Sequence, residues 1–360
     1  MQMHTYEPAY LHALSRRLFE SSGATNEIGH IVANILVGAN LTGHDSHGVL
    51  RVPTYMRRIS DGIMNAGAEP TTVRESVTTL VLDGHQGPGH LTAYRAVHKA
   101  IEKARTSEIC SVSFTQIEHI GRLGHYAEIA AREGFVGIAM VGRGSSNKMK
   151  VLPFGGKKGS LGTNPIAIGI PTGDEVPFLL DVATSVVAEG KLQVARSKNV
   201  PVPENYIVDK NNVPTTDPNE FYDGGYLRTF GEHKGYAFSL AACLMGQLAG
   251  NYGEGCPFGY AFMQVININA FTDLIGYQEG IRAFLDDIKK SEPADGVDEV
   301  QVPGEFEHRT RTHRLKHGIE IPDTINEQLL EWANKYNVSA DGSIITDEDR
   351  GYYVFASASV

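Results

Sequence analysis

The chain has 360 residues, 41% hydrophobic and 21% charged, with 32 basic against 42 acidic side chains and a formal net charge of −10. These figures exclude a disordered polymer, a collagen-like repeat and a disulfide-stapled miniprotein, and leave room for one or two domains with a sizeable core. So acidic a chain has no general attraction for phosphate backbones or anionic lipid, which sets nucleic-acid and membrane roles aside; an anionic substrate must meet a local cation. Cys110, Cys243 and Cys256 share no metal-type spacing and read as reduced thiols of a cytosolic protein. The N-terminus shows no leader pattern, and the most apolar long stretch, 235–250, is interrupted by Ser239, Gly246 and Gln247, so a soluble, cytoplasmic protein is expected.

From Thr25 onward, Ile28, Ile31, Val32, Ile35, Leu36 and Ala39 keep helical spacing, with Thr25 or Asn26 as the cap and Thr42-Gly43 as the stop. A short helix is predicted from near Arg51 to Gly62, with Pro53 tolerated in its first turn. Residues 76–82 predict a strand closed by the turn pair Asp83-Gly84, and Tyr94, Val97, Ile101 and Ala104 mark an amphipathic helix. Strands follow at 109–114, 135–141, 165–170, 177–181 and 261–268, and helices at about 125–133, 186–197, 236–249, 277–290 and 323–336. The Pro- and Asn-rich stretch 201–218 reads as a long loop. Strands alternating with helices predict an α/β protein around a central mixed sheet. Residues 1–70 and 291–360 read as mainly helical, so a helical domain built from both chain ends is expected beside a central sheet domain over 71–290.

A search for a dinucleotide fingerprint fails. Gly142-Arg143-Gly144-Ser145-Ser146-Asn147 follows a strand, but the third glycine is replaced by Asn147 and no clean helix opens, so it reads as a Gly/Ser loop. P-loop, G-x-S-x-G and HExxH patterns are absent. The unusual feature is histidine beside glycine: His44-Asp45-Ser46-His47-Gly48 with Arg51 and Tyr55 at four-residue steps, and His119-Ile120-Gly121-Arg122-Leu123-Gly124-His125 after a strand. Glu232-His233-Lys234-Gly235 opens a helix, and Leu179-Leu180-Asp181-Val182-Ala183 ends a strand. Histidine exchanges protons near neutral pH, arginine offers a planar fork to a carboxylate, and strand-to-helix turns bind phosphates. Each feature also has a plain reading: Asp181 as a helix cap, Lys234 as a solvated cation, Arg51 as the partner of a surface acid such as Asp45. The His44-x-x-His47 pair is half of a metal site without identifiable partners, so no metal is assigned.

In combination these segments resemble the malate/L-lactate dehydrogenase-like oxidoreductases, a family unrelated to the Rossmann-type lactate dehydrogenases, and within it the hydroxycarboxylate dehydrogenase branch. The resemblance rests on His44 to Gly48 with Arg51-Val-Pro-Thr-Tyr55, Leu82-Asp-Gly84 with Gly87-Pro-Gly89, and His119 to Gly124. It continues through Leu161-Gly-Thr-Asn-Pro165, Leu180 to Ser185, Gly231 to Tyr236 and Val302-Pro-Gly-Glu305, the last followed by Arg309-Thr-Arg311 and Gly318-Ile-Glu-Ile. It implies a non-Rossmann α/β fold, NAD or NADP as cofactor, a small 2-oxo or 2-hydroxy acid as substrate, and a homodimer with the site near the subunit interface.

The resemblance also assigns residues. His47 is the first candidate for acid/base catalysis and His119 the second; beside the resemblance, the logic of a catalytic triad offers Asp181 as an orienting carboxylate for His47. Arg51 and Tyr55 would face the substrate carboxylate. Cofactor contacts would come from His47, from Gly121, Arg122 and Leu123, and from Leu179, Leu180, Asp181, Val182 and Ala183. Further contacts would fall on His233, Lys234 and Asn269, and on Pro303, Gly304 and Glu305. The 142–150 loop is longer and more basic than in many relatives. Two rival expectations remain: a metal-dependent hydrolase or lyase using the histidine loops, and a cyclic-imine reductase on the same fold.

Overall fold

The computed structural model describes residues 3–144, 149–197, 199–250 and 259–351. The chain opens with β1 (Met3–Tyr6), α1 (Pro8–Ser21), α2 (Asn26–Leu41) and α3 (Val52–Ser60), with two 3₁₀ turns, Asp45–His47 and Val49–Arg51, between α2 and α3. Then come β2 (Thr71–Glu75), β3 (Thr79–Gly87), α4 (Gly89–Ser107), β4 (Ile109–Ile117), α5 (Gly124–Arg132), β5 (Phe135–Gly142), β6 (Ile166–Ile170) and β7 (Phe178–Val182). A small lobe follows, with α6 (Glu189–Ser197), β8 (Ile207–Val208), β9 (Pro214–Thr215), α7 (Pro218–Tyr222), β10 (Tyr226–Leu227) and α8 (His233–Gly246). The chain returns through β11 (Tyr260–Asn267) and finishes with α9 (Leu274–Lys289), α10 (Glu305–His317), β12 (Ile319–Pro322), α11 (Asp323–Lys335) and α12 (Asp347–Gly351).

Local chemistry explains the best-read element. The Thr25 side chain accepts the Ile28 N–H at 3.3 Å, and the apolar stripe from Ile28 to Leu41 is buried. That stripe belongs to one continuous core that joins α1, α2 and α4 to the large sheet. A second, smaller core gathers Val151, Leu161, Leu192, Ile207, Phe221 and Leu227. The chain ends meet where β1 pairs antiparallel with β12, and buried Asp349 accepts hydrogen bonds from Arg16 at 2.9 Å while lying 2.8 Å from His12.

The large sheet has the order β2-β3-β4-β11-β5-β6-β7. Only β3 and β4 run parallel and the other neighbours are antiparallel, so the predicted mixed sheet is correct. The register places the C-terminal ends of β3, β4, β5 and β7 at one end, together with the start of β11. Loops leaving that end build the site described below.

Several sequence expectations need correction. Asp83-Gly84 does not close a strand: β3 runs on to Gly87, with His85 and Gln86 at positive φ of 50° and 58°. The stretch 201–218 is not a featureless loop, because β8 and β9 pair there with β10 in a three-stranded sheet. α10 and β12 were not foreseen. Cys110 and Cys243 are buried free thiols, whereas Cys256 and residues 145–148 of the Gly/Ser loop lie outside the described residues.

Candidate active site

The His44–Gly48 loop is fastened from two sides. Asn40 receives the Val49 N–H at 2.8 Å and donates to Asp45 at 2.6 Å, and Arg314 on α10 grips both Asp45 oxygens at 2.6 and 3.0 Å. Gly48 must be glycine, since a Cβ there would lie 2.1 Å from the Asn40 carboxamide oxygen. His44 lies 3.1 Å from Glu307. His47 turns inward, and its Nδ1 lies 3.0 Å from the Ser46 hydroxyl. Its ring stacks on that of His119, with centroids 5.6 Å apart and an interplanar angle of 21°.

Arg51 ends the second 3₁₀ turn and donates from Nε to the Ser46 carbonyl at 2.6 Å. The alternative pairing with Asp45 does not occur, because Arg314 occupies that carboxylate. Among the described residues Arg51 forms no ion pair, so the outer edge of its fork remains available. Tyr55 lies on α3 but is only 2% exposed, and its hydroxyl bonds His119 Nδ1 at 2.7 Å. The polar end of Tyr55, expected to face the substrate carboxylate, is engaged by His119 in this structure.

Asp181, at the end of β7, accepts the Gly124 N–H at 2.9 Å and lies 3.5 Å from Arg122 Nε. It therefore anchors the start of α5 and the buried Arg122, not the His47 imidazole whose Nδ1 meets Ser46. Gly124 leaves the room, since a Cβ there would stand 2.6 Å from the Asp181 carboxylate. Arg122 also lies 3.5 Å from buried Glu128. Burial raises the Glu128 pKa, but Arg122, Arg311 and Arg132 outweigh it and hold the carboxyl below its usual range.

Both central imidazoles are held neutral. Burial, then the charges of Arg51, His44 and Arg122, push His47 down to about 3. His119 is exposed, yet desolvation by the surrounding loops, followed by His47, Arg51 and His90, keeps it well below the usual histidine range. The sequence pattern missed Ser46 as a partner and missed His90 entirely. His90 is fully buried, with its ring edge-on to Tyr55 at 5.4 Å and to His119 at 6.1 Å. The Gly87-Pro-Gly89 motif just before it was the only available signal.

The expected cofactor residues separate into three groups. Gly121, Arg122, Leu123, Leu180, Asp181, Val182 and Ala183 belong to loops and strand ends at the His119 end of the sheet. Exposed His233 and Lys234 open α8 beside Thr184, which accepts the Phe230 N–H at 3.1 Å. Pro303, Gly304 and Glu305 meet Leu179, whose N–H bonds the Pro303 carbonyl at 3.0 Å. Here a cleft is lined by Val176, Pro177, Leu179, Arg132, His308 and Arg311, and a Cβ on Gly304 would stand 2.5 Å from the Pro177 carbonyl. Glu128 and Glu307 share that lining and the enclosed space, ≈ 10 Å³, is that of one water, so this crevice does not by itself seat a dinucleotide. Asn269 departs from this placement, since it follows the far end of β11, where Ile266 pairs with Ile109. Ile117 lies eight residues further along β4 than Ile109, roughly 26 Å away, so Asn269 lies far from His119 within this chain.

The histidine loops do not form a metal-donor cluster. Among the described residues, the one such cluster is His12, His30 and Asp349, beneath α12. There Asp349 is saturated by Arg16, Thr346 and His12, which suits a structural clamp. No described helix is long and apolar enough to cross a membrane.

The malate/L-lactate dehydrogenase family model matches residues 6–330. Hydroxycarboxylate dehydrogenase B of Escherichia coli K12 is 36% identical over 330 residues, 88% of this chain and 90% of its own. L-sulfolactate dehydrogenase of Methanocaldococcus jannaschii is 35% identical over 333 residues, 89% and 94% of the two chains. The crystal structure of malate dehydrogenase from Entamoeba histolytica superposes with a TM-score of 0.89 at 28% identity, covering 94% of this chain and 99% of that one.

Proposed function

Since the chain belongs to the malate/L-lactate dehydrogenase family, whose model covers residues 6–330, we propose that it interconverts a 2-oxo acid and the corresponding 2-hydroxy acid with NAD or NADP. The observation that carries this reading is the outer edge of Arg51, without an ion pair among the described residues, beside two stacked neutral imidazoles in a protein of net charge −10. A carboxylate would dock on Arg51 and place C2 and its oxygen near His47. When bound, the nicotinamide supplies or accepts the hydride at C2. In the oxidative direction His47 takes the hydroxyl proton on the ring nitrogen not engaged by Ser46. In the reductive direction the same nitrogen returns that proton to the oxygen. The cofactor would be held by Gly121 to Leu123, by Leu179 to Ala183, by His233 and Lys234, and by the 303–305 turn.

We also propose a homodimer. α9 contributes no buried residue, and Phe271, Ile275 and Phe284 around it are 72%, 68% and 61% exposed. Apolar exposure of this kind is unusual on a monomer. Asn269, remote from its own protomer's site, would then serve the partner's cofactor. A screen of 2-oxo acids and cyclic imines with NADH and NADPH, followed by the loss of reduced-nicotinamide absorbance, tests the reading. Cofactor at 100 times its Kd should raise stability by roughly 2.7 kcal/mol. A melting curve unmoved by either cofactor, with no turnover of any acid, would refute it; turnover of imines alone would transfer the activity to imine reduction.

A further inference from the structure

The two stacked histidines have unlike partners at Nδ1. His119 Nδ1 faces two groups, the Tyr55 hydroxyl at 2.7 Å and the Gly121 backbone N–H at 3.3 Å. A backbone N–H can only donate, so this nitrogen presents its lone pair and the Tyr55 hydroxyl donates to it as well. The single proton of the neutral ring must then sit on Nε2. His47 Nδ1 faces only the Ser46 hydroxyl at 3.0 Å, and a hydroxyl can donate or accept. His47 can thus change protonation state without losing its partner. For His119, a second proton would point a new N–H at the Gly121 N–H.

The arrangement around His119 is rigidly built. Tyr55 is 2% exposed, and its ring is flanked by His90 and by Phe19, whose centroid lies 6.4 Å away. Gly121 adopts φ +76°, and a Cβ there would lie 2.9 Å from the His90 ring, so glycine alone brings this N–H into place. The titratable and charged groups facing His119 are His47 and Arg51 from the 3₁₀ turns, Tyr55 from α3 and His90 from α4.

We propose that Tyr55 is a positioning residue which, together with the Gly121 N–H, locks His119 in its Nε2–H tautomer, making His119 a permanent neutral hydrogen-bond donor and leaving proton transfer to His47. The assignment of proton transfer rests on the dehydrogenase reading; the tautomer does not. A neutral imidazole that polarises a carbonyl without titrating is an established device in enzymes.

The tautomer is read directly by long-range ¹H–¹⁵N correlation spectra of the cofactor-free protein at neutral pH, with His119 assigned through His119→Gln. The expected result is one His119 signal set of the Nε2–H form, unchanged on mild acidification. In Tyr55→Phe, whose fold is checked by thermal melting, the Nδ1–H form or the doubly protonated ring should become populated. The kcat of this variant should fall roughly 5- to 10-fold with little change in KM, and a new acidic limb should appear in its pH profile. If Tyr55→Phe does not fold, the wild-type spectrum decides alone. A wild-type Nδ1–H or doubly protonated His119, or a Tyr55→Phe spectrum and pH profile identical to wild type, overturns the proposal. A locked tautomer in a protein that turns over no oxo acid would sustain the lock and refute the dehydrogenase reading.

Discussion

An ordinary histidine titrates near 6.5, and His47 does not because its loop removes solvent while Arg51, His44 and Arg122 oppose a further positive charge. The free enzyme therefore holds a base ready for the oxidative direction. The group must be unprotonated to accept a proton, so a depressed pKa preserves activity as pH falls through 6.5. A carboxylate docked on Arg51 would cancel one of the opposing charges, so the acidic limb of kcat should lie at higher pH than that of kcat/KM. Profiles for 2-hydroxy acid oxidation check this, and a kcat/KM limb at or above the kcat limb would refute it. His47→Gln should lower kcat on the order of 10²–10⁴-fold and largely spare cofactor affinity. His119→Gln, which removes a donor only, should cost less; the reverse ranking would exchange the two roles. Arg51→Met should reduce kcat/KM for 2-oxo acids roughly 10- to 150-fold and affect ester or amide analogues far less. Equal losses on both would show that Arg51 only supports Ser46. Arg122 is a poor substitute anchor, since it is buried between Glu128 and Asp181.

Helices and strands differ in how far they can be read from the sequence, and α9 shows both sides. Its Asp273 cap, which accepts N–H groups from Ile275 and Gly276 at 3.0 Å, is local chemistry; the partner face proposed to cover the exposed Phe284 is not. Phe284→Glu places a charge on that apolar face and should give a monomer by analytical ultracentrifugation, with cofactor affinity lowered ~10-fold or more. A monomer that binds cofactor as wild type does would refute the role proposed for Asn269. Elements with strong periodicity, such as α2 and α4, are legible because their own residues carry the signal. α10 was missed because Glu305–His317 is almost wholly polar, and its hold on the histidine loop through Glu307 and Arg314 is tertiary. β2 is exposed throughout, and β8 and β9 have two residues each, too short for any alternation. In the site, His47, Arg51 and His119 were legible as motifs. The Tyr55–His119 bond spans 64 positions of sequence and the Asp181–Gly124 bond spans 57, so neither could be read from spacing.

At the scale of the whole molecule, the histidines form a store of acid sensitivity. His12 and His90 are 0% exposed, His30 2% and His125 5%, and they lie in or beside one core that unites both chain ends with the sheet. Burial is the first cause of depression for all four; His90 and His125 are pushed down to about 3, while His12 and His30 are lowered despite Asp349 nearby. Each is neutral in the fold and ordinary, near 6.5, in the unfolded chain. A depressed folded pKa means that the unfolded state binds more protons below 6.5, so stability is complete above that pH and declines as pH falls toward 3. A histidine held far below 6.5 contributes a limiting slope of about 1.4 kcal/mol per pH unit, so His90 and His125 together give roughly 2.8 kcal/mol per unit, and His12 and His30 act in the same direction. Asp349 acts in the same direction at lower pH, because Arg16, Thr346 and His12 hold its carboxyl below the usual range against the effect of burial. Urea unfolding at successive pH values should show a plateau above neutrality and a steep fall beneath pH ~6. His90→Phe offers the sharpest comparison, since it replaces a buried imidazole with an apolar ring and should flatten the slope by about one proton's worth. A stability that holds level through that acid range, or a His90→Phe slope equal to wild type, would mean that these imidazoles relax to accept protons inside the fold.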